Sequence, residues 1–301
     1  MADEGREAPA PYHIRGNALT PRGLAPGLYV VATPIGNLGD VTIRALDTLA
    51  AADLIACEDT RVTPKLLDRY GIRRPLASYH EHSGPAAHER ILERLRAGAA
   101  VALVSDAGTP LVSDPGAMLV RDAIAEGVPV VPIPGPSAPF AALSAAGLPA
   151  DAVLFLGFAP SKEGARRTFL ERAAPVDATL VFFESPNRIG AFLADAAAML
   201  GAERAGAVCR EITKLHETFA RGTLAELAAR FASAPTKGEI VVVIAPPPPR
   251  EAASEADIDA ALVAALETKG VGAAAQEVAE AFGLSRRDLY QRALVLKGAK
   301  S

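Results

Sequence analysis

Between Leu28 and Ile244, short runs of consecutive apolar residues alternate with longer segments whose apolar residues recur at helical spacing. A strand that is apolar at every position must be covered on both faces, and the helices between strands are what can cover it. This alternation confines the chain to an α/β architecture built on a largely parallel sheet. In the first half the apolar runs predict strands at 28–32, 54–57, 101–104 and 128–131. Helices are expected from about Thr42, from about Arg61, over 85–96, after Pro115 and after Pro136. In the second half, strands are expected at 153–156, 179–183, 207–210, near Thr218 and at 240–244. Helices there run through Arg166 and Leu170, after Pro186 and from Thr223. No helix fits between Cys209 and Thr218, so the second sheet is expected to be mixed.

Residues 1–26 mix Pro, Gly and charge without an apolar period and read as a flexible leader. Two α/β domains follow, 27–148 and 149–245, parted at Gly147-Leu148-Pro149. A proline-rich linker, 246–254, cannot enter a sheet or a helix interior. The remainder, 255–301, shows three helical periods: Ile258, Leu262 and Leu266; Val278, Ala281 and Phe282; Leu289, Ala293 and Leu296. Gly283-Leu284-Ser285 supplies a tight turn and an N-cap between the last two, a helix-turn-helix pattern. Such a unit either contacts nucleic acid or is a small bundle that only packs on the body.

No apolar run reaches the roughly 18 residues of a membrane helix, and Asp3, Glu4 and Glu7 are unlike a secretory signal, so a cytoplasmic protein with no membrane association is expected. Cys57 and Cys209, the only two cysteines, sit in apolar runs as small hydrophobes rather than as a disulfide or metal pair. His80 and His82 lack further spaced ligands, so no metal is expected. With 35 acidic against 31 basic residues the net charge is −4, which excludes indiscriminate coating of nucleic acid but leaves room for local basic patches.

Three loops of small residues each follow a predicted strand: Thr33-Pro34-Ile35-Gly36-Asn37-Leu38-Gly39-Asp40, Ser105-Asp106-Ala107-Gly108-Thr109-Pro110 and Pro134-Gly135-Pro136-Ser137-Ala138. Open α/β sheets bind ligands at the carboxyl ends of their strands, where glycine lets the backbone come close. Neither a dinucleotide Gly-x-Gly-x-x-Gly nor a Walker Gly-x-x-x-x-Gly-Lys run occurs. Few cations flank the loops, so they suit an adenosine and an amino-acid moiety better than a triphosphate.

These loops, with Ala56-Cys57-Glu58-Asp59-Thr60-Arg61, Tyr79-His80-Glu81-His82, Gly157 through Lys162, Phe183-Glu184-Ser185-Pro186, Arg210 through Lys214 and Lys237-Gly238-Glu239, appear in one order over residues 28–245. In that order the sequence resembles the tetrapyrrole-methylase-type (class III) methyltransferases, and among them those that methylate a ribose of small-subunit ribosomal RNA. It departs from their pattern at Ser83, where Asn is usual, and at Asn187, where His is usual.

The resemblance implies a two-domain tetrapyrrole-methylase-like fold, a homodimer, and S-adenosylmethionine held in the cleft between the domains. It also implies transfer to the 2′-hydroxyl of cytidine 1402 in 16S ribosomal RNA, as free RNA or within the assembled small subunit. Carried over motif by motif, the cofactor contacts are Pro34, Asp106, Ala107, Thr109, Ser137, Ala138 and Phe183, with backbone near Cys209 and Ile240. A ribose hydroxyl needs a base or a stabilising cation to react, and Glu58, Asp59, Glu184 and Lys214 are the catalytic candidates, with His80 and Glu211 beside them. Any of the carboxylates could instead pair with a neighbouring arginine.

For an RNA substrate, local cation groups matter more than net charge. Arg61, Lys65 and Arg69 recur every four residues, Lys162 and Arg166 open a helix of the second domain, and Arg286 and Arg287 stand on the last helix. The same charges would also keep helix faces soluble. A precorrin-type methylase and a non-catalytic RNA-binding assembly factor are the rival readings. The helical tail argues against the first, and three cofactor-type loops argue against the second.

Overall fold

The computed structural model describes residues 10–80, 83–112, 116–233, 237–248 and 254–298. Glu81 and His82 of the His-Glu-His motif, and Pro115, lie outside the described residues. The chain forms two compact units that divide between Pro247 and Pro248.

The first unit opens with a hairpin, β1 (Tyr12–Ile14) and β2 (Asn17–Leu19), turned by Arg15 and Gly16 at positive φ. Part of the expected leader is therefore folded. Tyr12 is 1% exposed and its hydroxyl donates to Asp47, a contact 35 residues away that no local pattern announces.

The first α/β half then runs β3 (Gly27–Val31), α1 (Ile43–Ala51), β4 (Leu54–Cys57), α2 (Thr63–Tyr70), β5 (Leu76–Ser78), α3 (Pro85–Arg96), β6 (Ala100–Val104), α4 (Ala117–Ala125), β7 (Val130–Ile133) and α5 (Ala138–Ala146). Its five strands are all parallel, in the order β5-β4-β6-β3-β7. β3 lies between β6 and β7, and this brings the three small-residue loops together, because each leaves the carboxyl end of one of these neighbours. β3 and β6 are buried along nearly their whole length, as apolar strands covered on both faces must be.

The second half comprises β8 (Val153–Phe158), α6 (Glu163–Ala173), β9 (Thr179–Glu184), α7 (Ile189–Leu200), β10 (Ala205–Arg210), β11 (Thr218–Thr223), α8 (Leu224–Phe231) and β12 (Ile240–Ile244). The order is β11-β10-β12-β9-β8, with only β8 and β9 parallel, so the sheet is mixed as its strand spacing requires. Phe182 and Phe192 meet edge to face with ring centroids 5.1 Å apart, in a core shared with Leu170, Leu180 and Leu193.

The second unit is three helices, α9 (Glu255–Thr268), α10 (Val271–Phe282) and α11 (Arg286–Gly298), packed around Leu262, Ala275, Val278, Leu289 and Ala293. Gly283 closes α10 in the left-handed conformation, the turn its sequence position called for.

Candidate active site

A cavity of about 390 Å³, within the range of roughly 300–1,000 Å³ typical of small-molecule sites, lies between the two halves of the first unit. The first half contributes Ile35, Ala107, Gly108, Thr109, Ser137 and Ala138, and the second contributes Phe158, Phe183 to Pro186, Ile212 and Gly238 to Val241.

Backbone bonds fix the first wall. Thr33 and Gly108 exchange two hydrogen bonds, 2.8 and 3.0 Å, and the Thr33 hydroxyl donates to Ser105 O. The Thr109 hydroxyl donates to Pro136 O at 3.1 Å, which ties the second loop to the third. Gly108 has φ +83°, and a Cβ there would stand 3.3 Å from the Ile35 side chain, so the loop needs glycine for its conformation and leaves little space beyond it. α5 begins at this wall, and the Ser137 side chain makes no capping bond, so its first-turn amides have no internal acceptor.

The second wall is aromatic and ion-paired. Phe183 packs against Phe158 with ring centroids 5.4 Å apart. Glu184 is 2% exposed; it accepts from Ser185 N at 2.7 Å and pairs with Arg188, while burial pushes its carboxyl up from the ordinary value. Glu211 and Thr213 both adopt positive φ, 52° and 68°, which costs side-chained residues about 1–3 kcal/mol each. This loop places Lys214 Nζ 3.0 Å from carboxylate oxygens of both Glu211 and Glu239. Lys214 fills the space a Cβ on Gly36 would need, 2.5 Å from Lys214 Cγ, and Glu211 likewise fills the space beside Gly238.

A smaller pocket of about 110 Å³ holds Pro34 and Asp106, together with Thr63, Lys65 and Ser105. Asp106 accepts from Asp59 N at 3.1 Å, and burial raises its carboxyl. Asp59 is held down at about 2 by its bonds from the Arg61 side chain and backbone, which makes it a poor proton acceptor. Glu58 accepts from Asp106 N at 3.4 Å and lines neither cavity.

The expected cofactor set thus separates. Ala107, Thr109, Ser137, Ala138, Phe183 and Ile240 share the large cavity, whereas Pro34 and Asp106 face the small one. Cys209 lines neither; it is fully buried in the core beside Val241, and burial pushes its thiol up to about 12. Of the catalytic candidates, Glu184 reaches the large cavity's wall but is sealed and paired, and Lys214 stands beside Glu239, which the motif reading had not singled out. Only the match of Lys237-Gly238-Glu239 pointed there.

The cation groups also divide. Lys65 and Arg69 are exposed on α2, but Arg61 precedes that helix and is ion-paired to Asp59, so the three do not form one helical stripe. Lys162 is exposed ahead of α6, and Arg286 and Arg287 are exposed at the start of α11. Arg166 is a correction: it is 5% exposed, bonded to Asp195 at 2.6 Å, and no surface cation. Among the described residues no cluster of three or more His, Cys, Asp or Glu side chains has metal-binding geometry.

S-Adenosylmethionine carries an adenosine, a sulfonium and a zwitterionic amino acid, and the large cavity fits such a group. It offers apolar and aromatic surface, glycine loops that admit close backbone approach, an uncapped helix start for a carboxylate, and no Lys or Arg among its described lining residues.

The sequence model of the tetrapyrrole (corrin/porphyrin) methylases matches residues 27–228, and that of the RsmI C-terminal HTH domain matches residues 252–297. Ribosomal RNA small subunit methyltransferase I of Mesorhizobium japonicum is 54% identical over 277 residues, covering 92% of this chain and 94% of the relative. Cobalt precorrin-4 methyltransferase shares the fold at TM-score 0.56 and 20% identity, over 72% of this chain and 94% of its own. So does uroporphyrin-III C-methyltransferase of Thermus thermophilus, solved in complex with S-adenyl homocysteine, at TM-score 0.52 and 21% identity over 72% and 96%. The chain belongs to the tetrapyrrole methylase family, in the branch of the ribosomal RNA small subunit methyltransferases I.

Proposed function

We propose that this methyltransferase transfers the methyl group of S-adenosylmethionine to the ribose 2′-hydroxyl of a cytidine in small-subunit ribosomal RNA. The observation that carries the cofactor is the cation-free, glycine-lined cavity between the two sheets. The substrate class rests on the kinship of nearly the whole chain, tail included, to a ribosomal RNA methyltransferase.

When bound, the cofactor supplies an activated methyl group on sulfur. The start of α5, at Ser137 and Ala138, offers amides to a carboxylate, and Phe183 and Ile240 flank the apolar portion of the cavity. The bridge between Thr33 and Gly108 and the bond from Thr109 to Pro136 hold the loops before any ligand arrives, so little ordering remains to be done on binding.

Lys65, Arg69, Lys162, Arg286 and Arg287 are exposed and contact RNA phosphates in this reading. An acidic chain with so few grouped cations favours the assembled subunit over a short naked RNA. A second copy of the chain is the expected partner: Met118, Ile124 and Phe140 are more than half exposed on α4 and α5, and β7 is an edge strand. Among the described residues no helix is long and apolar enough to cross a membrane, and a ribosomal substrate places the protein in the cytoplasm.

The test is transfer of tritium from labelled S-adenosylmethionine to small subunits lacking the modification, with the label mapped by nuclease digestion and mass spectrometry. Label on a cytidine ribose is expected. Cofactor binding without transfer to RNA would overturn the substrate assignment.

A further inference from the structure

The Glu211–Lys214 loop is a strained segment of the first unit. Two side-chained residues sit at positive φ, the Thr213 hydroxyl is buried without a hydrogen-bond partner, and glycines are needed at 36 and 238 to make room for Lys214 and Glu211. Strain of this kind persists where the surroundings enforce it for function. The loop's product is a fixed ion triad in which Glu239 lines the cavity, while Lys214 and Glu211 hold it without lining the cavity themselves. Glu211 is committed, accepting from Glu239 N at 2.9 Å and from Lys214 at 3.0 Å. Glu239 lines the cavity with Gly238 and Ile240, and its side chain is 73% exposed while it contacts Lys214 at 3.0 Å.

The other carboxylates near the cavities are less suited to accept a proton. Glu184 is sealed against Arg188, Asp59 is bound by Arg61, and Asp106 opens only on the small pocket and holds Asp59 N. We propose that Glu239 and Lys214 handle the proton of the transfer: the Glu239 carboxylate accepts it from the attacking hydroxyl, and the Lys214 ammonium hydrogen-bonds the oxygen as it loses that proton. The hydroxyl oxygen bonds to the methyl carbon while the carbon–sulfur bond breaks with its electron pair left on sulfur, and the proton passes to Glu239, so no further reactant is required. Glu211 is a positioning residue that holds Lys214 in place.

This inference rests on the proposed function, and the test separates the two. Single-turnover transfer to unmodified small subunits is measured for the wild type, Glu239→Gln and Lys214→Met, the last keeping an aliphatic stem against Gly36. Glu239→Gln is expected to lose about 100-fold or more in rate, with the S-adenosylmethionine Kd unchanged by calorimetry. Lys214→Met is expected to slow transfer by about tenfold or more at the same Kd, within the range for positioned groups that stabilise developing charge. In the wild type, reductive methylation of Lys214 by formaldehyde, read by mass spectrometry, should slow several-fold when subunit and S-adenosylhomocysteine are both bound. Glu239→Gln transfer within about threefold of wild type, a parallel loss of cofactor affinity or Tm, or equal Lys214 labelling with and without subunit would each overturn the proton role. A wild type that labels no RNA would overturn the proposed function itself, and this inference with it.

Discussion

The two walls of the large cavity are made by opposite means. The parallel sheet presents three loops whose geometry is fixed by backbone bonds and small residues, as in the paired bonds of Thr33 and Gly108. The mixed sheet presents two carboxylates, each paired with a cation that does not itself line the cavity: Glu184 with Arg188, and Glu239 with Lys214, which Glu211 also holds. Topology explains the contrast. Parallel strands send all their carboxyl-end loops to one edge, where amides and carbonyls are plentiful, whereas the second sheet meets the cavity with the end of β9 and the beginning of β12. The neutral wall suits a ligand with little net charge, and the ionic wall suits chemistry on a proton.

The contrast extends to stability and can be broken there first. Asp195 in the second half is 3% exposed and takes bonds from Arg166 and Arg167. Arg166→Met is expected to cost about 3 kcal/mol, the lower end for breaking a buried pair, because Arg167 still partners the stranded carboxylate. Arg96 in the first half pairs with Glu89 and Glu126 on the surface, where solvent screens the pairs, so Arg96→Ala is expected to cost far less than Arg166→Met. Urea unfolding of both variants checks the ratio, and equal losses would erase the distinction between the halves.

The walls themselves are tested at their glycines. A Cβ on Gly238, at φ +90°, would enter the Glu211 side chain and push it off Lys214, so Gly238→Ala is expected to reduce transfer about tenfold while the cofactor still binds. A Cβ on Gly108 disturbs Ile35 and a left-handed backbone that costs alanine roughly 1 kcal/mol, so Gly108→Ala is expected to raise the cofactor Kd by about fivefold with little change in the rate at saturation. Calorimetry and single-turnover kinetics on the pair separate the effects. A reversed pattern would assign the charged wall to binding and the neutral wall to chemistry.

Much of this was legible before the fold was known, for identifiable reasons. Continuous apolar runs such as Ile240–Ile244 can only be buried strands, and the missing helix between β10 and β11 announced an antiparallel pair. What escaped depends on partners distant in sequence. Tyr12 anchors a hairpin through Asp47, and Arg166 turns inward to an aspartate 29 residues away although its neighbours Lys162 and Arg167 reach the surface. The strand expected at 128–131 begins later, at Val130, because the Val128 amide is still bonded to Ala123 O at the end of α4. Glu239 stands out in the sequence only as part of a motif, since no spacing reveals which of several carboxylates stands exposed beside a lysine.

The smallest effect concerns how each half starts a helix. Thr42 caps α1 with one bond, its hydroxyl accepting from Ala45 N at 3.1 Å. Thr223 caps α8 reciprocally: it accepts from Glu226 N at 3.2 Å while the Glu226 carboxylate accepts from Thr223 N at 2.8 Å. Loss of a Thr cap costs about 0.5–2 kcal/mol, so both Thr42→Ala and Thr223→Ala are expected to destabilise by about 1 kcal/mol. They should differ in coupling. In Thr223→Ala the Glu226 side chain loses the geometry that held it, so adding Glu226→Ala should cost less than in the wild-type background, whereas Thr42 has no such partner to couple with in α1. A double-mutant cycle measured by urea unfolding reads this directly. Additive losses at 223 and 226 would mean that the reciprocal bonds act independently, and that the second half relies on paired side chains at its cavity wall but not at its helix ends.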